Sequence, residues 1–128
     1  MKLGSCLVIA AIATAAAQAL AQAQSPLETR GVGDKMELVP DQFQPEDRAR
    51  YPLFKQKCTK CHAMSRPIAA LRTGITPVTG GRFDEDGIKK YVVKMMRKPK
   101  SGIAKEDAKE LILFLRAARG IAEGKSSE

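Results

Sequence analysis

Cys58-Thr59-Lys60-Cys61-His62 is the stretch on which the reading of this chain turns. His62 is the only histidine in 128 residues, and Cys58 and Cys61 are two of only three cysteines. Two cysteines separated by two residues admit a structural disulfide, a redox-active dithiol, a zinc site or, when histidine follows at once, covalent haem attachment. A closed zinc site wants four protein ligands, and the motif offers three. A thioredoxin-like dithiol wants a βαβ setting, and no run nearby alternates convincingly as a strand. Covalent attachment of haem asks for what is present: two thiols to add to two vinyl groups, and an imidazole beside them to serve the iron as proximal ligand. Because a second imidazole is lacking, the sixth iron position falls to another kind of side chain.

Upstream, Met1-Lys2 is a short positive start, Leu7–Ala13 a compact apolar run, and Ala19-Leu20-Ala21 a small-x-small cleavage pattern. Together they predict an export signal over residues 1–21, removed on the way to the periplasm. The apolar run is short and fades into alanine and glutamine, so no stable membrane span is expected after removal. Cys6 precedes the apolar run, which excludes it as a lipid acceptor, and its removal leaves Cys58 and Cys61 alone. Export and haem attachment agree, since bacteria attach c-type haem outside the inner membrane.

The length suits one domain, and a net charge of +8 makes it basic. Residues 22–47 read as an extension or linker, interrupted by Gly31, Gly33, Pro40 and Pro45. Residues 48–119 read as the folded domain and 120–128 as a tail. A first helix is expected within 46–61, with Pro52 arguing for a start near Tyr51. Residues 63–83 are loop-rich, with a helical turn around Ile68–Leu71. A second helix is expected over 84–98, started by Asp84 or Asp86, striped by Ile88, Tyr91, Val92, Met95 and Met96, and stopped by Pro99. A third is expected over 105–119, buried through Ala108, Leu111, Ile112, Leu115 and Ala118, with Phe114 at the border and Gly120 as its cap. The class is all-α, with about three main helices.

Phe54, four positions before Cys58, and the run Leu111-Ile112-Leu113-Phe114-Leu115 carry a further signal. With the cysteine–histidine motif they resemble class I (monohaem) c-type cytochromes over residues 50–119. The resemblance implies a small cytochrome c-like fold around one covalently bound haem c, with the first and last helices crossing. Arg50 departs from the family pattern, which often has a small residue eight positions before the first cysteine. No clear counterpart exists for the proline whose carbonyl holds the proximal imidazole, and Ser65-Arg66-Pro67 is the nearby candidate.

The sixth ligand is expected to be a methionine, whose thioether raises the reduction potential. Met64 is too close to His62, and Met36 precedes the haem helix. Family spacing to Phe114 favours Met96, with Met95 as the alternative. Arg66, Arg72 and Arg82 are candidates to meet the haem propionates. Leu53, Phe54, Leu71, Val92, Leu111 and Leu115 are expected to bury the ring. Lys55, Lys57 and Lys60, with Lys89, Lys90, Lys94, Arg97, Lys98 and Lys100, would steer redox partner proteins with acidic docking faces. Nucleic acid is disfavoured, because no aromatic-interleaved basic patch exists. The expectation is a monomeric periplasmic electron-transfer protein rather than an enzyme. The alternatives are a five-coordinate haem enzyme or sensor, and a cytochrome subunit of a larger oxidoreductase with 22–47 as its docking arm.

Overall fold

The computed structural model describes residues 26–125; the signal expected over 1–21 and the last tail residues, 126–128, lie outside the described residues. The described chain is mostly helical, with four α-helices and one two-stranded sheet. None of its helices is long and apolar enough to cross a membrane.

Helix α1 (Pro45–Cys58) starts on a proline whose fixed φ suits the first helical position, with Glu46 and Asp47 at the positive end of the helix. It runs through Pro52 rather than starting beside it. That proline lacks the N–H that would reach the Arg48 carbonyl, a cost of about 3 kcal/mol. Tyr51 and Phe54 flank it and are buried, and two such side chains contribute about 1.5–3 kcal/mol each. Packing offsets the broken bond.

Helix α2 (Ser65–Thr73) occupies the stretch where the sequence suggests only a turn. It buries Ile68, Ala70 and Leu71, and the Arg119 guanidinium donates to the Leu71 carbonyl at 2.8 Å. A short helix with one satisfied terminal carbonyl and a buried face holds because of what it packs on. Helix α3 (Glu85–Met96) is capped by Asp84, whose carboxylate accepts from the Gly87 N–H at 2.9 Å.

Helix α4 (Lys105–Ala122) begins where Asp107 accepts from the Ala104 N–H at 2.9 Å. It continues through Gly120 and keeps Ala118 and Ala122 buried one turn apart. The left-handed residue that ends it is Gly124, at φ 72°. The Lys125 N–H bonds to the Gly120 carbonyl and the Gly124 N–H to the Ile121 carbonyl, both at 2.9 Å. This is the paired 6→1 and 5→2 arrangement of a Schellman end.

Helices α1 and α4 pack on each other through rings. Phe54 meets Phe114 with centroids 4.7 Å apart, and Phe43 meets Phe114 at 4.9 Å. Phe114 therefore sits at the centre of the buried face, not at its border. Arg50 lies half-buried at the edge of this seam, 2.8 Å from both Asp47 and Glu110, and so ties α1 to α4 by charge. The segment before α1 packs on the same seam. Thr29–Arg30 (β1) pairs antiparallel with Glu37–Leu38 (β2), and Leu27, Leu38 and Phe43 join the core. Arg72 on α2 holds this segment, donating to the Thr29 hydroxyl at 2.7 Å and the Leu27 carbonyl at 3.2 Å.

Candidate functional site

A cavity of about 950 Å³ opens between the end of α1, the loop after α2, the cavity-facing side of α3 and the loop between α3 and α4. Its wall includes Cys58, Cys61, His62, Tyr91 and Met95. That volume lies at the upper end of the ~300–1,000 Å³ range of pockets that bury a small molecule or cofactor.

Cys58 is the last residue of α1, and Cys61 and His62 follow in the turn that leads to α2. Both cysteines are free thiols, Cys58 half-buried and Cys61 exposed. Burial pushes the Cys58 thiol up to about 12, so it stays protonated at neutral pH. A thiol-exchange nucleophile needs the opposite shift. Among the described residues, no three His, Cys, Asp or Glu side chains form a metal-binding group.

The orientation of His62 follows from one hydrogen bond. Its Nδ1 lies 3.2 Å from the Ala63 carbonyl oxygen. A carbonyl only accepts, so in this contact Nδ1 carries the proton and Nε2 carries the lone pair. The same carbonyl accepts from the Arg66 N–H at 3.2 Å, at the entry to α2. Ala63 supplies the acceptor that the sequence suggested near Ser65-Arg66-Pro67.

Helix α3 separates its two neighbouring methionines by face. Ile88 and Val92 are buried and Met96 packs against the same core, at spacings of four. Gly87, Tyr91 and Met95, also at spacings of four, line the cavity. Met96 thus continues the core stripe, and Met95 continues the cavity stripe. Tyr91 leans on Phe83 edge-to-face, with centroids 5.2 Å apart. Burial first, and the nearby Cys58 second, push its phenol up to about 12, so it remains a hydrogen-bond donor.

Other residues singled out from sequence are divided. Arg66 and Arg82 line the cavity, with Arg82 3.1 Å from Asp84, whereas Arg72 is committed to the N-terminal segment. Met64 is buried beside the Tyr51 hydroxyl, 3.8 Å from its sulfur, and Met36 packs against the core. Leu53, Phe54, Leu71, Val92, Leu111 and Leu115 pack helix to helix, and none lines the cavity. Its less polar wall is made by Tyr91, Met95, Ile103, Pro77 and Val78 instead. The 87–91–95 spacing carried that signal for α3. Nothing in the sequence marked Pro77, Val78 or Ile103.

The lysines near the motif are engaged internally. Lys55 pairs with Glu37, Lys57 with Asp107 at 3.2 Å, and the Lys60 ammonium donates to the Lys100 carbonyl at 2.9 Å. Lys90, Lys94, Arg97 and Lys98 are exposed along α3 and just beyond it. Compared with family models, curated proteins and solved structures, the chain has no match.

Proposed function

We propose that this chain is an exported monohaem c-type cytochrome, a single-electron carrier with a cytochrome c-like fold and one covalently bound haem c. The observation that carries the reading is the cavity of about 950 Å³ whose wall joins Cys58, Cys61, His62 and Met95. The residues fit the group. Two thiols are available for thioether bonds, an imidazole has its Nε2 lone pair unspent, and a thioether stands on the cavity face of α3. When bound, such a group supplies a one-electron couple between ferric and ferrous iron.

The chain's own residues would do the rest. Cys58 and Cys61 hold the group covalently, and His62 ligates through Nε2 while the Ala63 carbonyl fixes its tautomer. Met95 is the better-supported sixth ligand, because Met96 packs against the protein core. Tyr91 and Ile103 exclude water from the buried side. Arg66 and Arg82 are the cavity-lining cations suited to the propionates. The exposed Lys90, Lys94, Arg97 and Lys98 favour an acidic redox partner approaching α3, while Lys55, Lys57 and Lys60 are occupied within the chain. The N-terminal segment buries Leu27, Leu38 and Phe43 in its own domain, which favours a free carrier over a docking arm on a larger complex.

The test is expression with export in a host able to mature c-type haem, followed by intact mass and absorption spectra. A covalent haem mass and a weak far-red sulfur-to-iron charge-transfer band in the ferric protein are expected. A high-spin ferric spectrum would move the assignment to a five-coordinate haem enzyme or sensor. A protein without covalent haem ends the reading.

A further inference from the structure

The loop between α3 and α4 leaves the helix that carries Met95, and it is fastened to the cysteine stretch from two points. Lys57 immediately precedes Cys58, and its ammonium donates to the Gly102 carbonyl while pairing with Asp107. Lys60 immediately precedes Cys61 and donates to the Lys100 carbonyl at 2.9 Å. The loop is wound tightly between these points. Lys100 has φ 58°, in the left-handed region that a side chain rarely adopts. Gly102 has φ 64°, and a Cβ there would stand 3.1 Å from the Lys60 ammonium. The positive φ favours glycine at 102, and a side chain there would also crowd the Lys60 ammonium.

From the loop, hydrogen bonds run straight back to the methionines. The Ser101 hydroxyl donates to the Met96 carbonyl at 2.8 Å and accepts from the Ile103 N–H at 3.3 Å. The Ser101 N–H reaches the Lys98 carbonyl, and the Lys98 N–H reaches the Met95 carbonyl, each at 3.1 Å. A continuous polar path therefore connects the residues before each cysteine to the last turn of α3. It bypasses the apolar core and runs along the rim of the cavity, where Lys57, Lys98, Pro99, Ser101 and Ile103 form the wall.

We infer that Lys57 and Lys60 are positioning residues that latch the α3–α4 loop to the cysteine–histidine stretch and thereby hold Met95 on the iron. The inference rests on the haem reading above and deepens it. An ammonium on a backbone carbonyl is a charge-assisted bond, stronger than a neutral one. Two such bonds, one from each residue preceding a cysteine, set the spacing between the wall that carries His62 and the wall that carries Met95. Releasing them leaves α3 folded on its Ile88–Val92 face but frees its last turn and the loop. Met95 is then displaced more readily by a small competing ligand.

The experiment uses the exported, haem-loaded protein with Lys60→Ala, Lys57→Met and the double substitution. Imidazole is titrated into the ferric protein, and loss of the sulfur-to-iron band is followed. Each single variant is expected to bind imidazole roughly tenfold more tightly, in keeping with the loss of one charged hydrogen bond, and the double variant more tightly still. Lys60→Arg, which retains a donor, is expected to restore most of the wild-type affinity. Denaturant unfolding is measured alongside, and Lys60→Ala is expected to lower stability by no more than the roughly 1.4 kcal/mol that a tenfold change represents. Imidazole affinities within twofold of wild type overturn the latch, as does a loss of stability well beyond that figure, which would make the tighter binding a consequence of general loosening. A wild-type protein that lacks the sulfur-to-iron band before any imidazole is added overturns the haem–methionine reading itself, and the latch with it.

Discussion

Along the seam between α1 and α4, Phe43, Tyr51, Phe54 and Phe114 fill the space between elements ring on ring. Across the cavity, Cys58, His62, Tyr91 and Met95 line a volume of about 950 Å³ that they do not fill. Apart from the Tyr51 hydroxyl, the buried side chains of the seam are apolar, and its charged crossings, Arg50 to Glu110 and Lys57 to Asp107, stay at its partly exposed edges. The cavity rim is cationic and hydroxylic, with Arg66, Arg82, Lys94 and Ser101 among its residues. Helices α1 and α3 serve both regions with different faces. The seam fills its own space, whereas the cavity walls leave a volume open that, under the haem proposal, a large, mostly apolar body would occupy. That contrast separates substitutions that should damage the frame from those that should damage only the site.

The largest effect is expected on the cavity side. Replacing Cys58 and Cys61 together by Ala removes both thiols that could form thioether bonds, and the exported protein should show no covalent haem by intact mass. Covalent haem persisting in the double variant would remove the motif from the proposal altogether. On the seam side, Phe54→Ala or Phe114→Ala should lower stability by about 3–5 kcal/mol in denaturant unfolding of the haem-loaded protein. The same variants should keep the sulfur-to-iron band under native conditions, because neither ring lines the cavity. Loss of that band without loss of stability would show that the two regions are not separate.

The next pair divides the regions within a single turn of helix. Met95→Ala should abolish the sulfur-to-iron band with little effect on the seam. Met96→Ala should keep the band and lower stability by less than the roughly 2–5 kcal/mol of a fully buried Met→Ala change, since Met96 is only half-buried. The reverse outcome would reinstate Met96 as the ligand.

Helix class was legible because α3 and α4 carry strong periodicity and clear caps, and Asp84 and Asp107 act at the starts where acidic residues were expected. The cysteine–histidine stretch stood out as a candidate site through residue identity and spacing alone, and the fold places all three of its chemical side chains on the cavity wall. What escaped was tertiary. Two-residue strands show no alternation, so residues 22–47 read as an extension with scattered apolar residues that could pack on the domain; the structure buries Leu27, Leu38 and Phe43 in the core beside a short hairpin. Helix α2 was expected only as a turn because its nine residues lie in a Gly- and Pro-rich stretch, although they are as amphipathic as α3; packing and Arg119 help to hold it. The choice between Met95 and Met96 was read from distance along the chain to Phe114. The structure divides the two by rotation about α3, which separates adjacent residues by about 100°. The same rotation parts Val92 from Tyr91, which share one apolar stripe in sequence: Val92 is buried in the core and Tyr91 lines the cavity.

The smallest effect concerns how α3, which borders both regions, is started. The Gly87 N–H bonded to the Asp84 carboxylate, helped by Arg82, holds its pKa below the usual carboxylate value of 3.8. A carboxyl whose folded pKa is lowered adds stability that is fully present above its unfolded pKa and is lost as pH falls through the folded one. The contribution of Asp84 should therefore be constant at neutral pH and disappear only below about pH 4. Asp84→Asn retains a good cap acceptor but cannot titrate, so it should be near wild type at pH 7 and flatten the acid limb of a stability–pH curve. Asp84→Ala should lower stability at neutral pH and flatten the same limb. Because Asp84 also lines the cavity, the two variants sharpen the comparison. If the cap serves only the frame, imidazole affinity for the ferric protein should be the same in Asp84→Asn and wild type. A change in that affinity with stability unmoved would place Asp84 in the site as well as at the start of the helix.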